Sequence, residues 1–382
     1  MSDLPDAGKR ILSTVETICR LGPRLPGSEV ERACRQLILD RLNELGSGSA
    51  KAEAFDLLNW TPVSSELTVT PGSLTVPVQQ LGYSASSTVE GRLAYCGGGT
   101  KDECRPARAG IALCSSESEI SPKFLHRIQK YRNAVEAGAR AFLLVGEPGH
   151  PAPLGIIRKR GSGAIPAVSV GYEASRELLK PEAMQHTFRL KVLNRAFQDH
   201  SANVVWQSRG SDPANVICAH YDSWTEGAWD NASGVATLLE LALWLSTTQN
   251  SERKVVLCFS SGEELGLFGS MDFCGRRAGR LSFAVNVDGV GYGGAEPQAR
   301  CSDPDLAKLP PLKGTFSQLP LTPWGDHWSF RRAGVRTIFL TCGGPTPVQH
   351  TVEDKPDRLN PSDLEACLNL LRQIATHLGS VR

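Results

Sequence analysis

Apolar residues in the C-terminal half of the chain occur in short continuous runs, separated by stretches in which they recur at helical spacing. The predicted strands cover residues 216–219, 255–259, 283–287 and 337–340. Runs without polar alternation indicate strands that are covered on both faces by helices. The predicted helices include residues 235–246 and a final helix after Pro361, where Ser362 and Glu365 form a capping-box pattern. The alternation predicts an α/β fold with a mixed, mostly parallel sheet sandwiched by helices.

The N-terminal part of the chain shows a different pattern. Apolar residues recur at helical spacing over residues 10–21 and 30–45, with a loop rich in glycine and proline between these two helices. The middle of the chain instead contains short β-like runs. We therefore predict a main domain formed by residues 1–58 and 196–382, with a smaller β-rich domain inserted at residues 59–195.

The predicted elements of the inserted domain are short. The strands are residues 66–70, 73–76, 110–114, 141–145 and 165–170, and the helix is residues 124–137. The dipeptide Pro71-Gly72 between the first two strands is typical of a turn.

The charge balance gives no sign of a polyanionic partner. Lysine and arginine number 41, aspartate and glutamate number 40, and the formal net charge is +1. Proteins that bind nucleic acids usually carry a basic surface, and a membrane-spanning helix needs a long apolar segment. The sequence has neither feature, so we predict no nucleic-acid partner and no membrane partner. The oligomeric state is left open.

The cysteines and the N-terminal sequence bear on the cellular compartment. The eleven cysteines are scattered, and no apolar stretch follows a basic segment at the start of the chain. Without a secretory signal we expect free thiols and a cytoplasmic location. Cys96 and Cys104 flank a glycine-rich turn, where they form either a local disulfide or two unpaired thiols. We favour unpaired thiols.

Residue types that bind metal ions are concentrated directly after the predicted strands. They are His220, Tyr221 and Asp222 after the first strand, Asp230 before the helix that follows it, Glu263 and Glu264 after the second strand, Asp288 after the third, and His350 after the fourth. Ligands of open α/β sheets bind at the carboxyl ends of the strands. We therefore expect these side chains to converge at one edge of the sheet.

Each of these residues also has a simpler explanation when it is taken alone. Asp230 before a helix suits an N-cap, a histidine after a strand is often a structural hydrogen-bonding residue, and Asp288 before a glycine suits a turn. Together, however, so many carboxylates at one edge would repel one another without a cation. Zinc accepts a mixture of imidazole and carboxylate ligands. The combined pattern therefore predicts a zinc site.

Five segments of the main domain resemble the co-catalytic zinc aminopeptidases of peptidase family M28. They are residues 220–224 (His-Tyr-Asp-Ser-Trp), 227–234 (Gly-Ala-Trp-Asp-Asn-Ala-Ser-Gly), 261–266 (Ser-Gly-Glu-Glu-Leu-Gly), 286–288 (Asn-Val-Asp) and 350–351 (His-Thr). The inserted stretch resembles a protease-associated domain, on the basis of residues 134–140 and 165–168.

The family resemblance implies a role for each residue of the motifs. His220 and Asp288 would hold one zinc ion, Glu264 and His350 a second one, and Asp230 would bridge the two. Glu263 would be the general base and Asp222 would orient His220, while the peptide bond after Asp230 would be cis. The resemblance therefore implies a cofactor of two Zn2+ ions per chain.

One position departs from the pattern of the family, so the sequence does not decide which group would stabilise the oxyanion that forms during hydrolysis. Gln349 stands where some relatives carry a tyrosine that helps to hold the oxyanion. The remaining candidates for this role are Tyr221, His327 and the zinc ions.

A further loop contributes candidates for substrate binding. Asp326, His327 and Trp328 could line the substrate pocket together with Tyr221, although an apolar loop that packs on the core would show the same residues.

The expected function is a zinc-dependent exopeptidase acting on peptides, most specifically an aminopeptidase. A carboxypeptidase or N-acyl amidohydrolase could use the same two-zinc site. A single-zinc cyclase of similar fold and an inactive peptide-binding protein are further alternatives, which the complete set of ligand residues disfavours.

Overall fold

The computed structural model describes residues 6–46, 48–70, 74–115, 125–247, 253–302, 304–312, 324–342 and 346–380. The predicted Pro71-Gly72 turn lies outside these residues, as does residue 124 at the start of a predicted helix. Part of the loop between the last predicted strand and His350 is also outside them, since residues 343–345 are not described.

The helices are α1 (Ala7–Cys19), α2 (Glu29–Asn43), α3 (Arg127–Glu136), α4 (Tyr172–Leu178), α5 (Pro181–Met184), α6 (Ser233–Thr247), α7 (Phe268–Arg276), α8 (His327–Arg332) and α9 (Pro361–Ser380). Five of the helices, α1, α2, α3, α6 and α9, begin and end close to the predicted residues, and the other four were not predicted. Asp6 and Ser28 cap α1 and α2 by accepting hydrogen bonds from backbone amides three residues ahead.

The strands include two that are much longer than any predicted run. The strands are β1 (Ser49–Thr70), β2 (Thr75–Val76), β3 (Gln79–Gln80), β4 (Ser87–Gly91), β5 (Leu93–Tyr95), β6 (Ile111–Cys114), β7 (Ala141–Val145), β8 (Ala167–Val170), β9 (Thr187–Gln207), β10 (Ser211–His220), β11 (Arg253–Ser260), β12 (Leu281–Val287), β13 (Pro297–Cys301) and β14 (Arg336–Cys342). The two long strands, β1 and β9, were not predicted as single elements.

The chain folds into two units. The first consists of Met1–Leu57, Asp199–Gln349 and Asp354–Arg382, and the second consists mainly of Leu58–Gln198. No helix in the described part of the chain is both long enough and apolar enough to span a membrane.

The sheet of the first unit is mixed, with a parallel centre. Its strands lie in the order β13-β14-β12-β10-β11-β9, and the sheet continues from β9 to β1 and β2. The four central strands pair in parallel, while β13 and β9 at the two sides pair antiparallel with their neighbours. The carboxyl ends of β10, β11, β12 and β14 consequently lie at the same edge. The predicted α/β class with a mostly parallel sheet is confirmed.

Both faces of this sheet are covered by helices, as the continuous apolar runs predict. In β10, Ile217 and Ala219 belong to the cluster that packs with α1, α6 and α9. Val216 and Cys218 belong to a second cluster, which includes Phe273 of α7 and Phe330 of α8. Because successive side chains of a strand point to opposite faces, a strand buried on both faces has no polar alternation.

The second unit contains a smaller sheet of order β3-β8-β7-β6-β5. Strands β5 to β8 pair in parallel and β3 pairs antiparallel with β8. Both faces of β6 are again buried: Ile111 and Leu113 pack in one apolar cluster, whereas Ala112 and Cys114 pack in another that includes Tyr131 of α3.

The start of the last helix differs from the predicted capping box. Helix α9 begins at Pro361, and the side chain of Asn360 accepts a hydrogen bond of 2.9 Å from the backbone amide of Ser362. Asn360 is therefore the cap, and the prediction of Ser362 in that role is wrong. Proline suits the first helical position because the amide it lacks has no partner inside a helix.

Candidate metal centre

Four segments deliver polar side chains to the carboxyl edge of the parallel strands. His220 is the last residue of β10, Asp288 directly follows β12, and Glu263 and Glu264 lie in the loop after β11. Asp230 lies in an irregular turn at residues 228–232, between β10 and α6. The strand topology thus brings together residues that are distant in the sequence.

His220, Asp230 and Asp288 form the first group of possible metal ligands. Their ligand atoms all lie within 4.8 Å of one another. His220 Nε2 is 3.1 Å from Asp230 Oδ1 and 3.5 Å from Asp288 Oδ1. His220 and Asp230 are buried, and Asp288 is partly exposed.

Asp230, Glu264 and His350 form a second group that meets the same 4.8 Å criterion. Asp230 and Glu264 are buried, whereas His350 is half-buried. Asp230 belongs to both groups. A carboxylate has two oxygens, so Asp230 is positioned to bind one metal ion in each group.

The turn that carries Asp230 is held by contacts at its backbone and its carboxylate. The Asp230–Asn231 peptide bond is cis, as the family resemblance implies. Asp354 accepts hydrogen bonds from the backbone amides of Trp229 and Asp230, at 2.7 and 3.0 Å. Gln349 Nε2 donates to Asp230 Oδ2 at 2.9 Å. These contacts fix the direction in which the Asp230 carboxylate points.

Asp222 contacts His220 and the loop after β11. His220 Nδ1 lies 3.1 Å from the Asp222 backbone oxygen and 3.6 Å from its carboxylate. The carboxylate also accepts hydrogen bonds from the backbone amides of Glu263 and Glu264, at 3.3 and 3.1 Å. The main contact to the imidazole is therefore made by the backbone oxygen. The carboxylate chiefly positions the two glutamates.

The negative charge of the centre affects the protonation of His220. Burial lowers the pKa of His220, but hydrogen bonds to Asp222, Asp230 and Asp288 outweigh it and raise the pKa well above its usual range. Carboxylates that draw a proton onto an imidazole would equally favour a cation between them. One nitrogen ligand with two carboxylates is a donor set that fits zinc.

Glu263 and Glu264 differ in their surroundings although they are adjacent. Glu264 is buried, and its Oε2 accepts a hydrogen bond of 2.7 Å from Trp224 Nε1. Glu263 is half-buried. Desolvation raises the pKa of Glu263 well above its usual range, His220 opposes this shift, and the charge of Glu264 adds to it. A carboxylate with a raised pKa is a better proton acceptor.

Two predicted substrate-binding residues, Tyr221 and Asp326, have fully buried side chains that are engaged in other contacts, and their roles in substrate binding stay predictions. The Tyr221 hydroxyl lies within hydrogen-bond distance of the Glu31 carboxylate and of the backbone oxygen of Ala202, and its single hydrogen can be donated to one of them. The Asp326 carboxylate accepts a hydrogen bond from Ser260. Tyr221 follows His220 directly, so along an extended strand it points to the opposite side.

The neighbours of Asp326 in α8 have different positions. His327 is buried, with its ring 4.6 Å from that of Phe339. It lies near the centre, since a Cβ on Gly325 would be 2.9 Å from His327 Nδ1 and 3.5 Å from Asp288 Oδ2. Trp328 is half-buried and lies 5.4 Å from the guanidinium of Arg331. The roles of His327 and Trp328 in substrate binding stay predictions.

Three residues that support the centre were missed in the sequence. They are Asp354, Trp224 and Arg24. Arg24 is completely buried and donates hydrogen bonds to the backbone oxygens of Tyr221, Glu226 and Gly227. The loop from β10 to the Asp230 turn is thereby tied to the segment that links α1 and α2. A tryptophan, an arginine and an aspartate in loops carry no pattern that predicts such contacts.

Comparison with known families and relatives gives matches for both parts of the chain. Residues 203–375 match peptidase family M28, and residues 72–178 match the PA domain. The aminopeptidase YwaD of Bacillus subtilis strain 168 is 26% identical over 398 residues, which covers 97% of this chain and 84% of that protein. A vacuolar membrane protease of Meyerozyma guilliermondii is 32% identical over 183 residues, covering 43% of this chain and 19% of the protease.

Solved structures of similar fold cover nearly the whole chain. BSAP, a zinc aminopeptidase from Bacillus subtilis, has a TM-score of 0.77 at 23% identity, covering 98% of this chain and 96% of that one. A peptidase M28 precursor from Shewanella amazonensis has a TM-score of 0.78 at 22% identity, covering 98% and 93% respectively. At these sequence identities the structural similarity establishes the fold alone.

Proposed function

We propose that the protein is a zinc-dependent aminopeptidase, because residues 203–375 match peptidase family M28 and residues 72–178 match the PA domain. The observation that carries the proposal is Asp230, which belongs to both groups of possible metal ligands. Such sharing is typical of a centre with two metal ions. The substrate class that we propose is a peptide with a free N-terminus.

The metal ions are assigned to the two groups of ligands. His220 and Asp288 would hold one zinc ion, Glu264 and His350 the other, and Asp230 both. The mixture of imidazole and carboxylate fits zinc, and the burial of His220 and Asp230 suits ions shielded from solvent. When bound, zinc supplies Lewis acidity that polarises a carbonyl group and acidifies water at the site.

The residues of the chain carry the proton transfers of hydrolysis. Glu263 accepts a proton from the water whose oxygen attacks the carbonyl carbon of the scissile bond. It then delivers the proton to the amine nitrogen as the carbon–nitrogen bond breaks. Asp222 holds the backbone amides of Glu263 and Glu264, so it keeps this base at a fixed position relative to the ligands.

We further propose that the protein works in a reducing compartment such as the cytoplasm. None of its eleven cysteines, all of which lie in described segments, forms a disulfide. Ten of them are buried and the remaining one, Cys301, is partly buried.

The polarity of cleavage separates an aminopeptidase from its alternatives. The test offers one tripeptide in three forms: free, N-acetylated and C-amidated. We expect the amidated peptide to be cleaved from its N-terminus and the acetylated peptide to resist cleavage. Cleavage of the acetylated peptide together with resistance of the amidated one would exclude the aminopeptidase and favour a carboxypeptidase.

A further inference from the structure

Three cysteines of the second unit lie together outside the candidate metal centre. Cys96 follows β5, Cys104 precedes the short helical turn Arg105–Ala107, and Cys114 ends β6. Their sulfur atoms all lie within 4.8 Å of one another. All three residues are completely buried. The group combines segments from three different elements, so its formation depends on the fold of this unit.

A glycine-rich turn allows the close approach of Cys96 to Cys114. Gly97 and Gly99 have φ values of +47° and +78°, which residues with a side chain rarely adopt. A Cβ on Gly99 would lie 3.2 Å from the sulfur of Cys114 and 2.8 Å from the side chain of Lys130. Any other residue at position 99 would therefore push the turn away from Cys114.

Two charged side chains near the cysteines act in opposite directions on a negative charge at the sulfurs: Lys130 favours it and Glu103 opposes it. Lys130 is buried, and its ammonium group donates a hydrogen bond to the backbone oxygen of Ser115, the neighbour of Cys114. The Glu103 carboxylate is engaged by the backbone amides of Gly98 and Thr100, at 3.1 and 2.8 Å. A buried ammonium group close to the sulfurs would partly balance a cluster of thiolates.

We propose that Cys96, Cys104 and Cys114 bind a single thiophilic metal ion, zinc or monovalent copper. A zinc–sulfur bond is about 2.3 Å long, so two sulfurs on one ion are at most about 4.6 Å apart. The three sulfurs lie within 4.8 Å of one another, which is compatible with binding to one ion. Binding replaces three thiol protons, which are released to solvent, by three metal–sulfur bonds. The resulting negative charge lies next to Lys130.

Two simpler explanations account for less of the structure. A disulfide would use two of the cysteines and leave the third unexplained. Packing of small apolar side chains would explain the burial of all three cysteines. It would not explain why the glycine turn brings all three sulfurs so close together. A soft metal ion accounts for all of these features.

The test uses cobalt(II) with the full-length protein, purified without oxygen in the presence of a reductant. Sulfur-to-cobalt charge transfer gives an intense near-ultraviolet band, which the nitrogen and oxygen ligands of the peptidase centre do not produce. We expect this band in the wild-type protein and its loss in Cys114→Ala. The matched control Cys34→Ala removes a buried thiol elsewhere and should keep the band.

Titration with zinc or with monovalent copper then identifies the ion. Once the two-metal centre is filled, the ion that abolishes the cobalt band with one further equivalent per chain is the one preferred by the site, and either result supports the proposal. Absence of the band in the wild-type protein would overturn the proposal, whether or not the variants fold. A disulfide between any two of the three cysteines in the oxygen-free preparation would also overturn it.

Discussion

Asp222 connects the residues of the candidate centre through contacts in two directions. Its backbone oxygen contacts the imidazole of His220, and its carboxylate binds the amides of Glu263 and Glu264. A ligand from β10 and the two glutamates after β11 are therefore positioned by one buried residue. Groups that orient metal ligands in this way commonly affect both metal affinity and activity.

The adjacent glutamates are expected to respond differently to the same substitution. Glu263→Gln keeps the shape of the side chain but cannot accept a proton, so turnover should fall by about 10²–10⁴ with zinc content unchanged. Glu264→Gln should instead lower the zinc content, because Glu264 belongs to a ligand group. Both quantities are measured on the same preparations, by peptide hydrolysis and by elemental analysis. An exchange of the two results would reverse the assigned roles.

The residues of the centre differ in how far the sequence predicts them. His220 and Asp288 could be predicted because each lies at the end of a recognisable apolar strand. The pattern does not show that the Tyr221 hydroxyl contacts Glu31, so the burial of this side chain could not be predicted from it. Asp354 was missed because its role depends on a contact across more than a hundred residues of sequence, to the amides of Trp229 and Asp230.

At the level of elements, a strand is predictable from the sequence when its burial pattern stays the same along its length. A strand whose burial pattern changes along its length is not. Strand β10 is buried on both faces at residues 214–220 and matches a predicted run. Strand β9 alternates between buried and exposed at residues 188–193, is exposed at 195–198, and is fully buried at 201–206. Its polar middle section resembles a loop. The sequence pattern therefore could not predict β9 as one strand of 21 residues.

The capping of α9 provides a test at the level of a single element. Asn360→Ala removes the side-chain acceptor of the Ser362 amide and should lower the free energy of unfolding by about 1 kcal/mol. Ser362→Ala is the matched control, because Ser362 is exposed and its amide remains; its effect should be within about 0.5 kcal/mol. Denaturant unfolding measures both values. If Ser362→Ala lowered the free energy of unfolding more than Asn360→Ala does, the predicted capping box would be supported instead.

At the scale of the whole molecule, the candidate centre depends on the folded chain. Its five ligand residues extend from His220 to His350 and come together only when the parallel strands have paired. In the unfolded chain these residues are separated, so zinc should bind the folded state much more tightly. Metal binding and folding stability are therefore expected to be linked in this protein.

Removal of metal should lower the unfolding temperature as well as the activity. A ligand present at about 100 times its dissociation constant stabilises the folded state by about 2.7 kcal/mol, and a chelator removes this contribution. The experiment follows thermal unfolding of Cys114→Ala with and without chelator, so that the cysteine cluster does not contribute. A lower unfolding temperature with chelator, restored by two equivalents of zinc per chain, is the expected result. Adding Asp230→Ala to this background should abolish most of the shift, because each ligand group then loses its shared carboxylate. An equal shift in the presence and absence of Asp230 would mean that the stabilising metal is bound elsewhere.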